Sequence, residues 1–132
     1  MEWKSGYSVG VGEIDIEHKK MIAYINELEA VIENSNAQKQ VVFVLNGLVS
    51  YTREHFAKEE SYFKQFDYEH TDEHIAEHSE LISDVEKLIY QFEVGDKLSP
   101  VGIIKFLSNW FVDHILGSDK KYIDCFSRHG LS

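Results

Sequence analysis

Proline is nearly absent from this chain, with Pro100 alone among 132 residues, and most of the eight glycines lie in the first twelve residues or near the C-terminus. That scarcity argues against strands joined by glycine- and proline-rich turns and favours long helices. Cysteine is as scarce. Cys125 stands alone, which excludes an internal disulfide framework and makes a reducing, cytoplasmic setting the expected one. No apolar run is longer than Val41 to Leu45, far short of a bilayer span. The opening Met1-Glu2-Trp3-Lys4 lacks the basic-then-apolar pattern of a secretory signal, so none is expected. Positive charge is also short: 13 Lys and Arg face 23 Asp and Glu, for a formal net charge of −10. A surface of that sign repels phosphate backbones and anionic lipids, so neither a nucleic acid nor a membrane is expected as partner. What the chain does have is 43% hydrophobic and 13% aromatic residues, enough for the core of one domain and too many for a disordered chain. It also has seven histidines.

Helical apolar spacing recurs four times. From about Asp15 to Ile32 the stripe is His18, Met21, Ile22, Ile25, Leu28 and Ile32. From about Ala37 to Phe66 it is Val41, Leu45, Leu48, Thr52, His55, Glu59 and Tyr62. A third segment starts at Thr71 or Asp72 and carries His74, His78, Leu81, Val85, Leu88 and Phe92. The fourth opens on Ser99-Pro100, a capping serine before a proline at the first helical position. It continues through Ile103, Leu107, Trp110, Phe111 and His114. The connections are short and polar: Asn34-Ser35-Asn36, Gln65 to His70, and Gly95-Asp96-Lys97. Short connections make successive helices antiparallel neighbours. The pattern predicts an all-α, up-down-up-down four-helix bundle over residues 13–126, with residues 1–12 as an N-terminal arm. One domain spans 1–132, as a monomer or weak homo-oligomer.

Polar side chains fall on stripes assigned to the core. His18, His55, Glu59, His74, His78 and His114 do so, and Asp119 follows His114 by five residues. An unpartnered buried polar group costs about 1–3 kcal/mol, and seven would consume most of the roughly 5–15 kcal/mol that holds a domain together. A metal is the simplest compensation, because neutral imidazole and carboxylate are metal ligands. His55 and Glu59, like His74 and His78, are four residues apart and so project from one helix face. His18 lies near the start of the first helix and His55 with Glu59 near the end of the second. His74 and His78 open the third, and His114 with Asp119 close the fourth. In an antiparallel bundle those four places are one end of the molecule. At about 1.5 Å rise per residue, all the candidates fall within one to three turns of that end. Each pair alone is a weak signal; convergence from four helices on one layer is a strong one. His70 precedes the third helix and, with His129, is read as surface or loop, and Cys125 as a small buried residue. Glu60 points about 100° away from Glu59 and is left out of the ligand set. Imidazole also suits zinc, copper and nickel, so the residues alone leave the metal open.

The order His18, His55-xxx-Glu59, His74-xxx-His78, His114-xxxx-Asp119 resembles the hemerythrin family, and within it the single-domain bacteriohemerythrins. The resemblance extends over nearly the whole chain. It includes Trp3 in the arm, Val11-Gly12 with Asp15 and His18, Asn26 with Leu28, and Tyr68 six residues before His74. Glu17 departs from it, standing where glutamine is expected before the first histidine. The resemblance implies a non-haem di-iron centre, two iron ions with an oxo or hydroxo bridge, that binds O2 reversibly for storage, delivery or sensing. It assigns His74, His78 and His114 to one iron, His18 and His55 to the other, and Glu59 and Asp119 to bridging the pair. The second iron then keeps an open position for O2. The implied protein is an oxygen binder rather than an enzyme. The alternatives are a di-iron enzyme reducing peroxide or nitric oxide, a slow oxidase, or an O2- or redox-sensing module.

The donor chemistry points the same way. Five neutral nitrogens and two carboxylates leave a di-ferrous pair nearly charge-balanced, unlike the four carboxylates and paired Glu-xx-His motifs of ferritin-type sites. Met21, Phe56, Trp110 and Phe111, one turn or less from the donors, are expected to line a dry O2 pocket. One spacing conflicts with a regular helix. Four residues past His114 is Ser118, and Asp119 falls about 140° off the stripe. A π-bulge near Gly117, re-aiming Asp119 inward, is therefore predicted.

Overall fold

The computed structural model describes residues 1–34, 38–95 and 100–132. Helix α1 spans Gly12–Asn34, α2 Gln38–Gln65, α3 Thr71–Glu93 and α4 Pro100–Leu116. A 3-10 turn, Ser5–Tyr7, lies in the arm, and a second, Asp119–Tyr122, leads into the short helix α5, Ile123–Arg128. The four long helices form the expected bundle, with α1 packed on α2 and α4, and α2 on α3. No strand occurs among the described residues, and no described helix is long and apolar enough to cross a membrane. The chain was not expected to break after α4; α5 is an addition to the sequence reading.

Sequence chemistry accounts for most helix ends. Pro100 is the first residue of α4, where its missing N–H and fixed φ do no harm. The proposed Ser99 cap, and the Ser35-Asn36 and Asp96-Lys97 connections, lie outside the described residues. Acidic residues occupy the first turns of α1 (Glu13, Asp15) and α3 (Asp72, Glu73), where the helix dipole favours them. The α2 to α3 turn runs through Asp67 at φ 50°, a left-handed conformation that aspartate tolerates better than most side chains. That turn lets the Tyr68 N–H reach back to the Phe63 carbonyl at 2.9 Å.

Two apolar clusters divide the interior. The larger fills the bundle with side chains such as Ile25, Leu28, Leu45, Val85 and Ile103. The smaller joins Val9, Val11 and Ile14 to Phe63, Tyr68, Tyr122 and Phe126, sealing one end under the arm and α5. Some stripe positions differ from expectation. The buried step after Val85 is Ile89, four residues on, and Leu88 is only half-buried. Near the sealed end, Phe63 rather than Tyr62 is fully buried. Both shifts are one-residue choices between the i+3 and i+4 positions that share a helix face.

The arm is fastened at three points. The Met1 ammonium donates to Asn26 Oδ1 at 2.8 Å, and Asn26 Nδ2 donates back to the Met1 carbonyl at 2.8 Å. Asp15 accepts from the Val9 N–H at 2.9 Å and from the Ser8 hydroxyl. Lys120, on the turn after α4, donates to the Ser8 carbonyl at 2.6 Å. The later part of the arm and the turn after α4 therefore brace the same end of the bundle, while Met1 is tied to α1 further along.

Candidate metal centre

Seven polar side chains lie between the two apolar clusters. His18, His55, Glu59, His74, His78, His114 and Asp119 are each 0–6% exposed. They form two sets whose donor atoms lie within 4.8 Å of one another: His74, His78, His114 and Asp119 in one, and His18, His55 and Glu59 in the other. Each helix supplies its donors from the end that the antiparallel order brings to this layer.

The two carboxylates connect the sets differently. Asp119 spans them with separate oxygens, Oδ1 lying 2.9 Å from His74 Nε2 and 3.0 Å from His114 Nε2, and Oδ2 3.2 Å from His18 Nε2. Glu59 spans them with one oxygen, Oε1 being 3.3 Å from both His55 Nε2 and His78 Nε2. Its other oxygen, Oε2, accepts a hydrogen bond from the Tyr122 hydroxyl at 2.7 Å.

Asp119 reaches this position by a different route from the one predicted. There is no π-bulge. Helix α4 ends at Leu116, the Gly117 N–H still bonds the Asp113 carbonyl at 2.9 Å, and the chain turns into the 3-10 segment that begins with Asp119. Breaking the helix and rewinding it more tightly removes the angular mismatch. Glycine is needed at the break, since a Cβ on Gly117 would stand 2.8 Å from the Asp113 carbonyl oxygen.

Hydrogen bonding within the protein does not satisfy these groups. His74 Nε2 and His114 Nε2 are 3.1 Å apart and both face one Asp119 oxygen. Glu59 Oε1, His78 Nε2 and both Asp119 oxygens are near neighbours of opposite polarity yet aligned with none of them as hydrogen bonds. The donors aim at common points rather than at one another. Ligands about 2.1 Å from a shared cation, set at right angles, lie about 3 Å apart, so the spacing fits metal ligation.

Charge is strongly organised here. Burial pushes the His55 imidazole down, but Glu59, Glu17 and the more distant Asp119 outweigh it and bring His55 up to about 10. Burial acts likewise on His114, which Asp119, Glu59 and Glu77 raise above its ordinary value. Burial and Asp119 both push Glu59 up; His55 and His78 more than reverse this and hold it below the usual carboxylate range. Asp119, also opposed by burial, is held well below that range by His114 and by contacts with His18 and His74. Burial and the two carboxylates push Tyr122 well above the normal phenol value, so it stays protonated as a donor.

A second layer of carboxylates lies outside the donors, and of its members only Glu17 stands out in the sequence. Glu17 Oε1 lies 2.9 Å from His55 Nδ1, Glu60 Oε2 lies 2.9 Å from His78 Nδ1, and Glu77 Oε2 lies 3.7 Å from His114 Nδ1. Each adjoins a donor of its own helix in sequence and meets an imidazole of the next, from α1 to α2, α2 to α3 and α3 to α4. Such partners fix ring orientation and strengthen ligand basicity. Glu60 is not among the grouped donors, and its offset of about 100° from Glu59 turns it towards His78. Its place beside Glu59 was the available signal.

The expected pocket walls are only partly brought together. An apolar cavity of about 30 Å³ is lined by Met21, Leu48, Thr52, Leu81, Trp110 and Phe111, among others. Phe56 is not a wall of it. Its ring stacks on His78 at 3.6 Å with an interplanar angle of 4°, beside an outer groove between α2 and α3. Trp110 is half-buried rather than core, stacked on His114 at 4.3 Å. His70 stays at the surface, paired with Glu73 at 2.9 Å, and His129 is exposed, stacked on Phe66.

Fold and site together define an antiparallel four-helix-bundle protein with a paired histidine–carboxylate centre at one end. The chain matches the family model of the hemerythrin HHE cation-binding domain over residues 9–126. It is 30% identical to a bacteriohemerythrin of Stenotrophomonas maltophilia over 127 residues, covering 96% of this chain and 82% of the relative. It is 32% identical to a hemerythrin-like protein of Naegleria gruberi over 120 residues, 91% of this chain and 88% of that one. A crystal structure of wild-type hemerythrin superposes with a TM-score of 0.89 at 28% identity, covering 96% of this chain and 98% of the other. This chain belongs to the hemerythrin family.

Proposed function

We propose that the protein binds O2 reversibly at a di-iron centre, for storage, delivery or sensing. The observation that carries this is the unequal division of the donors: three imidazoles in one set, two in the other, and two carboxylates between them. In this reading His74, His78 and His114 would hold one iron, His18 and His55 the second, and Glu59 and Asp119 would serve both, with an oxo or hydroxo group expected between them. A ferrous pair supplies the reversible affinity for O2 that no side chain provides. The smaller set leaves a position for O2. The apolar cavity adjoins both sets: Met21 is one turn past His18, Thr52 one turn before His55 and Phe111 edge-on to His18 at 5.8 Å, while Leu81 is one turn past His78 and Trp110 stacks on His114. At about 30 Å³ it has room for a guest of water-to-diatomic size. Its largely apolar walls would disfavour water and the protons it carries. The outer carboxylates hold His55, His78 and His114 with Nε2 inward. We read the protein as cytoplasmic, and as a monomer or weak homo-oligomer.

The test is to reduce the protein anaerobically, admit O2 and follow the visible spectrum through repeated cycles. A charge-transfer band that comes with O2 and leaves with its removal is expected. One-way oxidation, or steady turnover of peroxide or nitric oxide with an electron donor, would replace carriage by the enzymatic or sensory reading. His74→Ala should lose iron and colour while His70→Ala retains both; equal losses would mean the wrong histidine pair was chosen.

A further inference from the structure

Among the described residues, one of the three outer carboxylates has a cation paired with it, and the other two have none. Lys58 Nζ lies 2.8 Å from Glu17 Oε2, while Glu17 Oε1 holds His55 Nδ1 at 2.9 Å. Lys58 also approaches Glu13 Oε2 at 3.8 Å, and Glu13 accepts the Tyr62 hydroxyl. Among the described residues no lysine or arginine comes within ion-pair distance of Glu60 or Glu77, which serve the other set. Glu17 is mostly buried, its side chain 16% exposed, whereas Lys58 is 38% exposed. A surface ammonium therefore connects to one imidazole of the smaller donor set through a single carboxylate.

A carboxylate on the outer nitrogen of a ligating imidazole draws its proton and makes the ring a stronger electron donor, favouring the higher oxidation state of the metal. A cation on that carboxylate competes for the same charge and weakens the effect. We propose that Lys58 is a positioning and tuning residue, raising the reduction potential of the ion held by His18 and His55 by acting on Glu17. The two metal positions are thereby made electronically unequal: among the described residues no lysine or arginine pairs with the carboxylates of the larger set, and that of the smaller set is restrained. Restraint belongs where O2 binds, since a less reducing ion there retains O2 with less irreversible loss of electrons. The inference rests on the di-iron reading above.

Redox titration of the iron-loaded full chain tests it, comparing wild type with Lys58→Met, Lys58→Arg, Glu17→Gln and the Glu17→Gln/Lys58→Met double variant. Lys58→Met should lower the midpoint potential and hasten autoxidation. Glu17→Gln should raise the potential, and Lys58→Arg should match wild type. The double variant should match Glu17→Gln, because with the carboxylate gone Lys58 has nothing to act through. In zinc-loaded protein the His55 Nδ1–H proton resonance should move downfield in Lys58→Met, reporting a stronger hydrogen bond without any redox chemistry. An unchanged potential in Lys58→Met, at two irons per chain, overturns the proposal. So does an equal downward shift in the Glu17→Gln background, which would reveal a direct field effect. Failure of wild-type protein to hold two redox-active irons overturns the di-iron reading itself, and this one with it.

Discussion

Replacing Tyr122 by phenylalanine removes one oxygen and leaves the ring's packing intact. Tyr122 is fully buried, stacked on Phe126 at 4.3 Å and close to Phe63, contacts that phenylalanine keeps. What disappears is the 2.7 Å bond to Glu59 Oε2. Glu59 is also fully buried, so water does not take over as donor. Hydrogen bonds to charged groups contribute about 1.5–3 kcal/mol. A loss of about 2 kcal/mol corresponds to a fall in Tm of roughly 6–10 °C for a domain of this size. The assay is thermal unfolding of chelator-treated protein, followed by circular dichroism. Tyr62→Phe is the control, because its hydroxyl bonds Glu13 at an exposed site and should shift Tm little. The pH dependence carries a sign. Since the Tyr122 donor favours the charged form of Glu59, the variant raises the Glu59 pKa from its lowered value. The stability at stake is present above the ordinary glutamate value of about 4.3 and is lost as pH falls through the folded value. The difference between variant and wild type should therefore be full at pH 7 and shrink on acidification. A Tyr122→Phe shift within about 2 °C, or equal shifts in the two variants, would refute the reasoning.

Two further predictions concern the same end of the bundle. Gly117→Ala should displace Asp119, because the added Cβ meets the Asp113 carbonyl oxygen at 2.8 Å; competition with a chromophoric chelator should show faster metal loss, and unchanged retention would mean the turn adapts. Adding zinc to chelator-treated protein at pH 7 should release at least about one proton per chain, because His55, raised to about 10, and His114, also raised, must lose protons to ligate. An indicator dye reads this. The contribution from His55 should fade as pH rises past about 10, and no release at pH 7 would show that these rings are already neutral.

The fold was legible because α1 to α4 each carry their own apolar period, and short connections leave little choice of arrangement. The layer of donors followed from topology alone: His18 and His74 open helices, while His55 and His114 close them. What topology could not supply was geometry between helices. Glu60 and Glu77 look like solvated residues, and Glu17 like no more than a departure from the family pattern, until the neighbouring helix is placed beside them. Phe56 went to His78 for the same reason, since its own helix allowed either the cavity or the stack. Asp119 was a misread stop signal. Gly117 marks the end of a helix as glycine often does, and reading it as a bulge preserved a continuity that the chain does not have.

His18 and Asp119 stand near opposite ends of the sequence, yet their side chains meet at 3.2 Å. A nascent polypeptide gains its first imidazole early in synthesis and its last carboxylate only after α4 has been made. A chain stopped at the end of α4 holds six of the seven donors but lacks the carboxylate that spans the two sets with separate oxygens. Capture of an ion at full strength must therefore wait until translation has passed Asp119, which makes the completed centre a record that the helices before it have already found their places.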